Sequence, residues 1–222
     1  MYDISEIPIH VIDFEGSRQS GIVEYGVVTL LKEDIVAAQT RLCATVGTIS
    51  DQDRLKHGIS EELVAEKATF DAEWTYFAGL REQGPFCAHS ASVEDSLLRS
   101  VWACPRMSPN FSRAGESSAA WAPWLDTLYL YRSLYPQLSS YQLGDLIQTF
   151  NLQEALDEWA GVYCPENRRR FHCALYDALA SSLLLKRLYD EPELETISLH
   201  WLFLQSAATG SARDSVGQMN LF

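Results

Sequence analysis

Hydrophobic and polar positions divide the chain into two kinds of stretch. In the first third, apolar residues alternate with polar ones or run together with a β-branched bias: IPIHVIDFE, GIVEYGVVTLL after the turn-like GSRQSG, and DIVAAQTRLC as a shorter third run. Such runs predict three strands with short connections, a meander at the start of a sheet. From Ser60 the period lengthens. SEELVAEKATFDAEWTYFAGLRE opens on a serine suited to cap a helix and places Leu63, Phe70, Trp74 and Phe77 near helical spacing. PFCAHS predicts a short strand and SVEDSLLRSVW the helix after it, with Val93, Leu97 and Leu98 as its buried stripe. WLDTLYLYRSLYP reads as strand-like up to Pro136, SSYQLGDLIQTFNL as a short helix, FHCALYDALASSLLLKRLY as the clearest helix and ETISLHWLFLQSAA as a last one. The expected architecture is α/β, a mixed sheet flanked by helices, spanning residues 1–207. TGSARDSVG has no periodicity, so residues 208–222 read as a flexible tail.

Composition narrows the chemistry. With 222 residues and 47% hydrophobic content, the chain suffices for one domain with a real core. No signal peptide or membrane-spanning apolar run is seen, and the expected location is the cytoplasm. The five cysteines are scattered, without the close spacing of a zinc site, and read as free thiols. A net charge of −13 argues against a broad phosphate-binding surface. Basic residues cluster locally, above all at Arg168, Arg169 and Arg170.

Three short stretches carry candidate chemistry. Asp13 and Glu15, two apart on a strand, project from the same face as Ile9 and Val11. Glu94 and Asp95 flank the apolar stripe of their helix, and only one of them can easily face the strand carboxylates. His172 stands five residues before Asp177, which lies in a helical run of small and apolar residues and needs a partner from elsewhere. Taken singly, these features have ordinary readings: a strand end in solvent, a solvated acidic face, a helix cap.

Together, in this order, they resemble the DEDD exonuclease superfamily in its histidine-bearing branch, which includes the proofreading epsilon subunit of bacterial DNA polymerase III and ribonuclease T. VIDFEGS is similar to the first motif, KHGIS to the step after the third strand, and AHSASVEDSLL to the second motif. WLDTLYLYRSLYP is similar to the Asp-Thr-Leu…Arg…Pro segment, and FHCALYDA to the third motif. The resemblance runs from about Pro8 to Leu188. It implies a ribonuclease H-like sheet and a 3′→5′ exonuclease that hydrolyses DNA ends to nucleoside 5′-monophosphates in replication or repair. Asp13, Glu15, Glu94 and Asp177 would hold two Mg²⁺ or Mn²⁺ ions, with His172 as general base. Glu94 takes this role over Asp95 because the motif register puts Ser90 and Val93 at the family's Asn and Phe positions. Gly16–Ser17 departs from the pair of threonines common in that loop.

Two further groups belong to the reading. Phe171, beside His172, is a candidate to stack near the terminal base of a single-stranded 3′ end, with Arg168, Arg169 and Arg170 near the phosphates. The terminal Gln218, Met219, Asn220, Leu221 and Phe222 resemble the bacterial sliding-clamp-binding pentapeptide. Tethering to a clamp raises local substrate concentration, which makes an acidic nuclease intelligible. The alternatives are the same chemistry on RNA, and a non-catalytic nucleic-acid-binding relative.

Overall fold

The structure, a computed structural model, describes residues 6–191, 194 and 197–207. The three opening runs form an antiparallel meander: β1 (Ile9–Ser17), β2 (Gly21–Leu31) and β3 (Asp34–Leu42). The third is as long as the first and lies at the sheet edge, where most of its side chains meet solvent. Helices α1 (Asp51–His57) and α2 (Glu61–Val64), a 3-10 turn over Phe70–Glu73 and α3 (Trp74–Gln83) follow. β4 (Phe86–Ala88) runs parallel to β1 and leads into α4 (Ala91–Val101). A small ribbon, β5 (Ser108–Pro109) with β6 (Ser117–Ser118), precedes β7 (Trp124–Asp126), which completes the sheet order β3-β2-β1-β4-β7. Then come α5 (Thr127–Leu134), α6 (Leu143–Thr149), α7 (Gln153–Tyr163), α8 (Ala174–Tyr189) and α9 (Leu199–Ser206).

The alternation along β1 sorts the core into two layers. Ile9 and Val11 pack with Leu175 and Leu179 of α8 on one face, while Ile12 and Phe14 pack with Phe77 of α3 and Leu98 of α4 on the other. This is the ribonuclease H-like α/β arrangement expected. Asp13 and Glu15 continue the face directed at α8.

That helix is buried along almost its whole length. Its six buried leucines (175, 179, 183, 184, 185 and 188) each contribute about 1.5–3 kcal/mol, which together outweighs the several kcal/mol needed to desolvate one carboxylate. Hence Asp177 is held where it is by its neighbours. Gly26, paired with Asp13, sets how closely α8 lies on the sheet: a Cβ there would come within 2.3 Å of the backbone of Ala174 and Leu175.

Three expectations from the sequence need correction. The helix from Ser60 is broken, because Ala68 O accepts a hydrogen bond from Ala44 N (3.0 Å) and draws residues 67–69 out beside the end of β3. The strand expected in WLDTLYLYRSLYP is only three residues long. Asp126 ends it by capping α5, accepting from Leu128 N at 2.9 Å. Val93 is not part of a buried stripe; it is 53% exposed, and Ala91, Glu94, Leu97 and Leu98 form that stripe instead. Among the described residues, no helix is long and apolar enough to cross a membrane, and the five cysteines are free thiols. The pentapeptide with Gln218, Met219, Leu221 and Phe222 lies outside the described residues.

Candidate active site

The site forms where β1 and β4 end, because the helices that follow or cross these strands bring side chains back to that edge. At the end of β1 the register with β2 shifts between Glu15 and Gly16. Gly16 has φ +135°, and a Cβ there would lie 2.1 Å from Gly21 O, so this bulge requires glycine where the loop departs from the expected threonines.

α4 enters from β4. Ser90, with φ +70°, turns the chain, and the Asp126 carboxylate holds the turn by accepting from Ser90 N (3.1 Å) and Ala91 N (2.9 Å). Glu94, one turn into the helix, is buried and accepts from Phe14 N at 3.0 Å, between the two acids of β1. Asp95 faces elsewhere: it accepts from Trp124 Nε1 (2.9 Å) and lies 3.8 Å from Arg99.

The third contribution arrives with α8, anchored by a buried ion pair absent from the sequence reading. Glu24, cross-strand from Glu15, accepts from Ala174 N (3.0 Å) and pairs with both sides of the Arg168 guanidinium, whose Nε lies 2.9 Å away. Arg168 also donates to His57 O at 2.7 Å. A lone acid in the apolar run GIVEYGVV was the available signal. Breaking a buried pair leaves an uncompensated charge, so Arg168→Ala is expected to cost about 3–5 kcal/mol of unfolding free energy, measured in urea. A loss below about 1 kcal/mol would contradict this anchoring role.

His172 then adopts φ +64°, immediately before the helix, and its backbone N–H donates to Asp177 Oδ2 at 3.0 Å. One ligand atom each from Glu15, His172 and Asp177 lies within 4.8 Å of the others. The other carboxylate oxygen of Asp177, Oδ1, is buried without a hydrogen-bond partner.

Electrostatics separate the acids from the histidine. Burial, then the neighbouring acids Glu94, Asp177, Glu15 and Glu24, hold Asp13 well above the usual carboxylate range. Burial likewise raises Glu15 and Glu94, with repulsion from Asp177 on both, and raises Asp177. Lys56, exposed at the end of α1, partly offsets this for all three. His172 is exposed and is shifted below its ordinary value by partial desolvation and then by Lys56 and Arg170. The neutral imidazole is thus the prevailing form near pH 7.

Buried carboxylates that repel one another must be neutralised by protons or by cations. A set of carboxylates with one imidazole beside them, and one carboxylate oxygen left unpartnered, suits hard divalent cations.

The fold has clear counterparts among solved structures. Exonuclease X in complex with 5′ overhanging duplex DNA superposes with a TM-score of 0.64, at 24% identity, over 90% of this chain and 99% of that one. This chain shares that structure's fold. The nuclease domain of 3′hExo, a DEDDh family member bound to rAMP, matches at TM-score 0.57 and 18% identity, over 86% and 96% of the two chains. E. coli Exonuclease I in complex with a dT13 oligonucleotide matches at 0.57 and 14% identity, over 83% and 43%. By sequence, the chain is 27% identical over 146 residues to the PolC-type DNA polymerase III of Thermotoga maritima. That match takes in 64% of this chain and 10% of the polymerase. No family model matches.

On this shared fold the expected nucleic-acid contacts divide. Arg168 is buried in its pair with Glu24 and is not free to meet phosphate, a correction to the sequence reading. Arg169 and Arg170 are exposed and donate to backbone carbonyls, Arg169 to Cys164 and Gly161 and Arg170 to Lys56 and His57. Phe171 is half-buried, edge-on to Tyr176 at 5.2 Å, and lines a cleft together with His172 and Asp177.

Proposed function

We propose that this chain is a divalent-cation-dependent 3′→5′ exonuclease that shortens DNA ends to nucleoside 5′-monophosphates in replication or repair. The observation that carries this reading is the approach of Glu15, His172 and Asp177 to within 4.8 Å, with Asp13 and Glu94 close enough to raise the cluster's proton affinity. Asp13, Glu15, Glu94 and Asp177 are the residues to hold two Mg²⁺ or Mn²⁺ ions. When bound, such ions acidify an attacking water and stabilise the oxygen that leaves.

The protein's own groups do the rest. His172, neutral and solvent-facing, accepts the proton of the attacking water at an imidazole nitrogen. Its left-handed backbone and its N–H bond to Asp177 fix the imidazole beside the acids. Phe171 offers a ring against the terminal base, and Arg169 and Arg170 offer charge to the phosphates. Glu94 reaches one methylene further than the family's aspartate.

The test is a 5′-labelled single strand, prepared as DNA and as RNA, incubated with Mg²⁺. Stepwise shortening from the 3′ end, faster on DNA, is the expected outcome. Equal, slow decay with unmutated protein and with Asp13→Ala would sink the catalytic reading. RNA is the second reading, favoured by the likeness to a 3′-exonuclease described with the histone mRNA stem-loop; faster loss of the RNA strand would select it. Docking of Gln218–Phe222 on a sliding clamp is proposed from that pentapeptide alone, and its removal is expected to abolish clamp binding.

A further inference from the structure

Beside the carboxylates opens a cleft of about 690 Å³ whose walls include Asp177 of α8, Phe171 and His172 just before that helix, Arg132 of α5, and Tyr141 and Gln142 ahead of α6. Its polarity is uneven. Apart from Asp177, its polar side chains are four hydroxyls, one amide, two imidazoles and one guanidinium. His89 is an uncharged wall: Nδ1 bonds to Thr127 Oγ1 at 2.9 Å and Nε2 to Tyr141 O at 2.9 Å. Burial pushes its pKa down to about 4. Arg132 is therefore the permanent cation of this cleft.

Its side chain is exposed yet placed. The guanidinium lies 5.3 Å from the ring centre of Tyr141 and 5.7 Å from that of Tyr129. Tyr141 is itself fixed by its hydroxyl, which donates to Tyr135 O at 2.7 Å. Contact with aromatic faces leaves the guanidinium's in-plane N–H donors free for an oxyanion. Arg132 stands five residues beyond Thr127 on α5, about 7.5 Å along the helix axis from the residue whose hydroxyl bonds to His89.

We propose that Arg132 is a second phosphate-binding point, gripping the phosphodiester of the cleaved strand on the 5′ side of the scissile bond. This inference rests on the exonuclease reading. The direction follows from chemistry: a terminal nucleotide removed from a 3′-hydroxyl end carries no phosphate beyond the scissile one. Any further phosphate of that strand within the cleft must lie upstream. The substrate class is accordingly a 3′-terminal strand at least three nucleotides long, because a dinucleotide with a 5′-hydroxyl, the form used below, offers only the phosphate being cut.

The experiment compares a dinucleotide with a tetranucleotide of DNA for the full-length protein, Arg132→Ala and Arg132→Lys. The unmutated protein is expected to prefer the tetranucleotide. Arg132→Ala should raise KM for the tetranucleotide about tenfold, the worth of one charged hydrogen-bonded contact, and collapse that preference. The slope of log KM against log salt should fall by about 0.7, as expected for losing one phosphate contact on a single strand. Arg132→Lys, which keeps the charge without the fork, should retain the salt slope and part of the preference. An unchanged tetranucleotide-to-dinucleotide ratio in Arg132→Ala overturns the proposal while leaving the exonuclease reading intact. If the unmutated protein cuts neither substrate, the exonuclease reading itself fails.

Discussion

Asp177→Asn is expected to lower kcat by about 10³-fold and, without divalent cations, to raise the melting temperature at pH 8. The first effect follows from the proposed role of Asp177 as an anionic ligand, since catalytic ions contribute several kcal/mol of transition-state stabilisation. The second follows from linkage. Burial raises Asp177 from an ordinary 3.8 to about 7, the bond from His172 N–H and the charge of Lys56 partly opposing the rise. The folded protein therefore takes up a proton more readily than the unfolded chain. This group's contribution to stability is complete below about pH 4 and is lost as pH rises through 7. Glu15 and Glu94 shift in the same direction. The metal-free protein should lose stability between about pH 5 and 8, and Mg²⁺ should restore it chiefly at the upper end, where the acids are free of protons. At a hundred times its Kd, an ion contributes about 2.7 kcal/mol, or about 5–11 °C for a chain of this size. The substituted amide keeps an acceptor for His172 N–H and removes the charge, so the fold is retained. A variant as active as the parent, or a parent stabilised equally by Mg²⁺ at pH 5 and pH 8, would refute this account.

His172→Asn is expected to lower kcat by about 10²- to 10⁴-fold, the usual worth of a general base. Asparagine is the informative choice because it tolerates the left-handed backbone at φ +64°, whereas alanine would add strain unrelated to chemistry. The unmutated protein should show an acid limb in kcat/KM below about pH 6.5, since partial burial and the positive charges of Lys56 and Arg170 disfavour the imidazolium. In the variant that limb should flatten. Full activity with an unaltered pH profile would remove His172 from the mechanism.

Local periodicity marked some of these residues, and the resemblance to the DEDD superfamily joined them into one candidate site. Asp13 and Glu15 share a face by the two-residue repeat of a strand, and Asp177 stood out as an acid inside an apolar helix. Other parts depended on long-range partners that no local pattern encodes. Glu94 lies in the buried stripe of α4 because Phe14 N offers it a donor, and Val93, more apolar, is left outside. Arg168 read as a phosphate contact because its neighbours are arginines, yet Glu24, 144 residues earlier, claims it. The run WLDTLYLYRSLYP has strand-like composition, but a capping carboxylate at Asp126 overrides propensity after three residues.

The Glu24 bridge also bears on when the protein can work during its own synthesis. Its bonds to Arg168 and Ala174 span 144 and 150 positions, so a nascent chain lacks them until residues 168–174 have emerged. Until then the acids of the first hairpin have no counterpart from α8. If the chain hydrolyses DNA as proposed, that competence should appear only once α8 has been made, and a product stopped short of that helix is expected to be inactive.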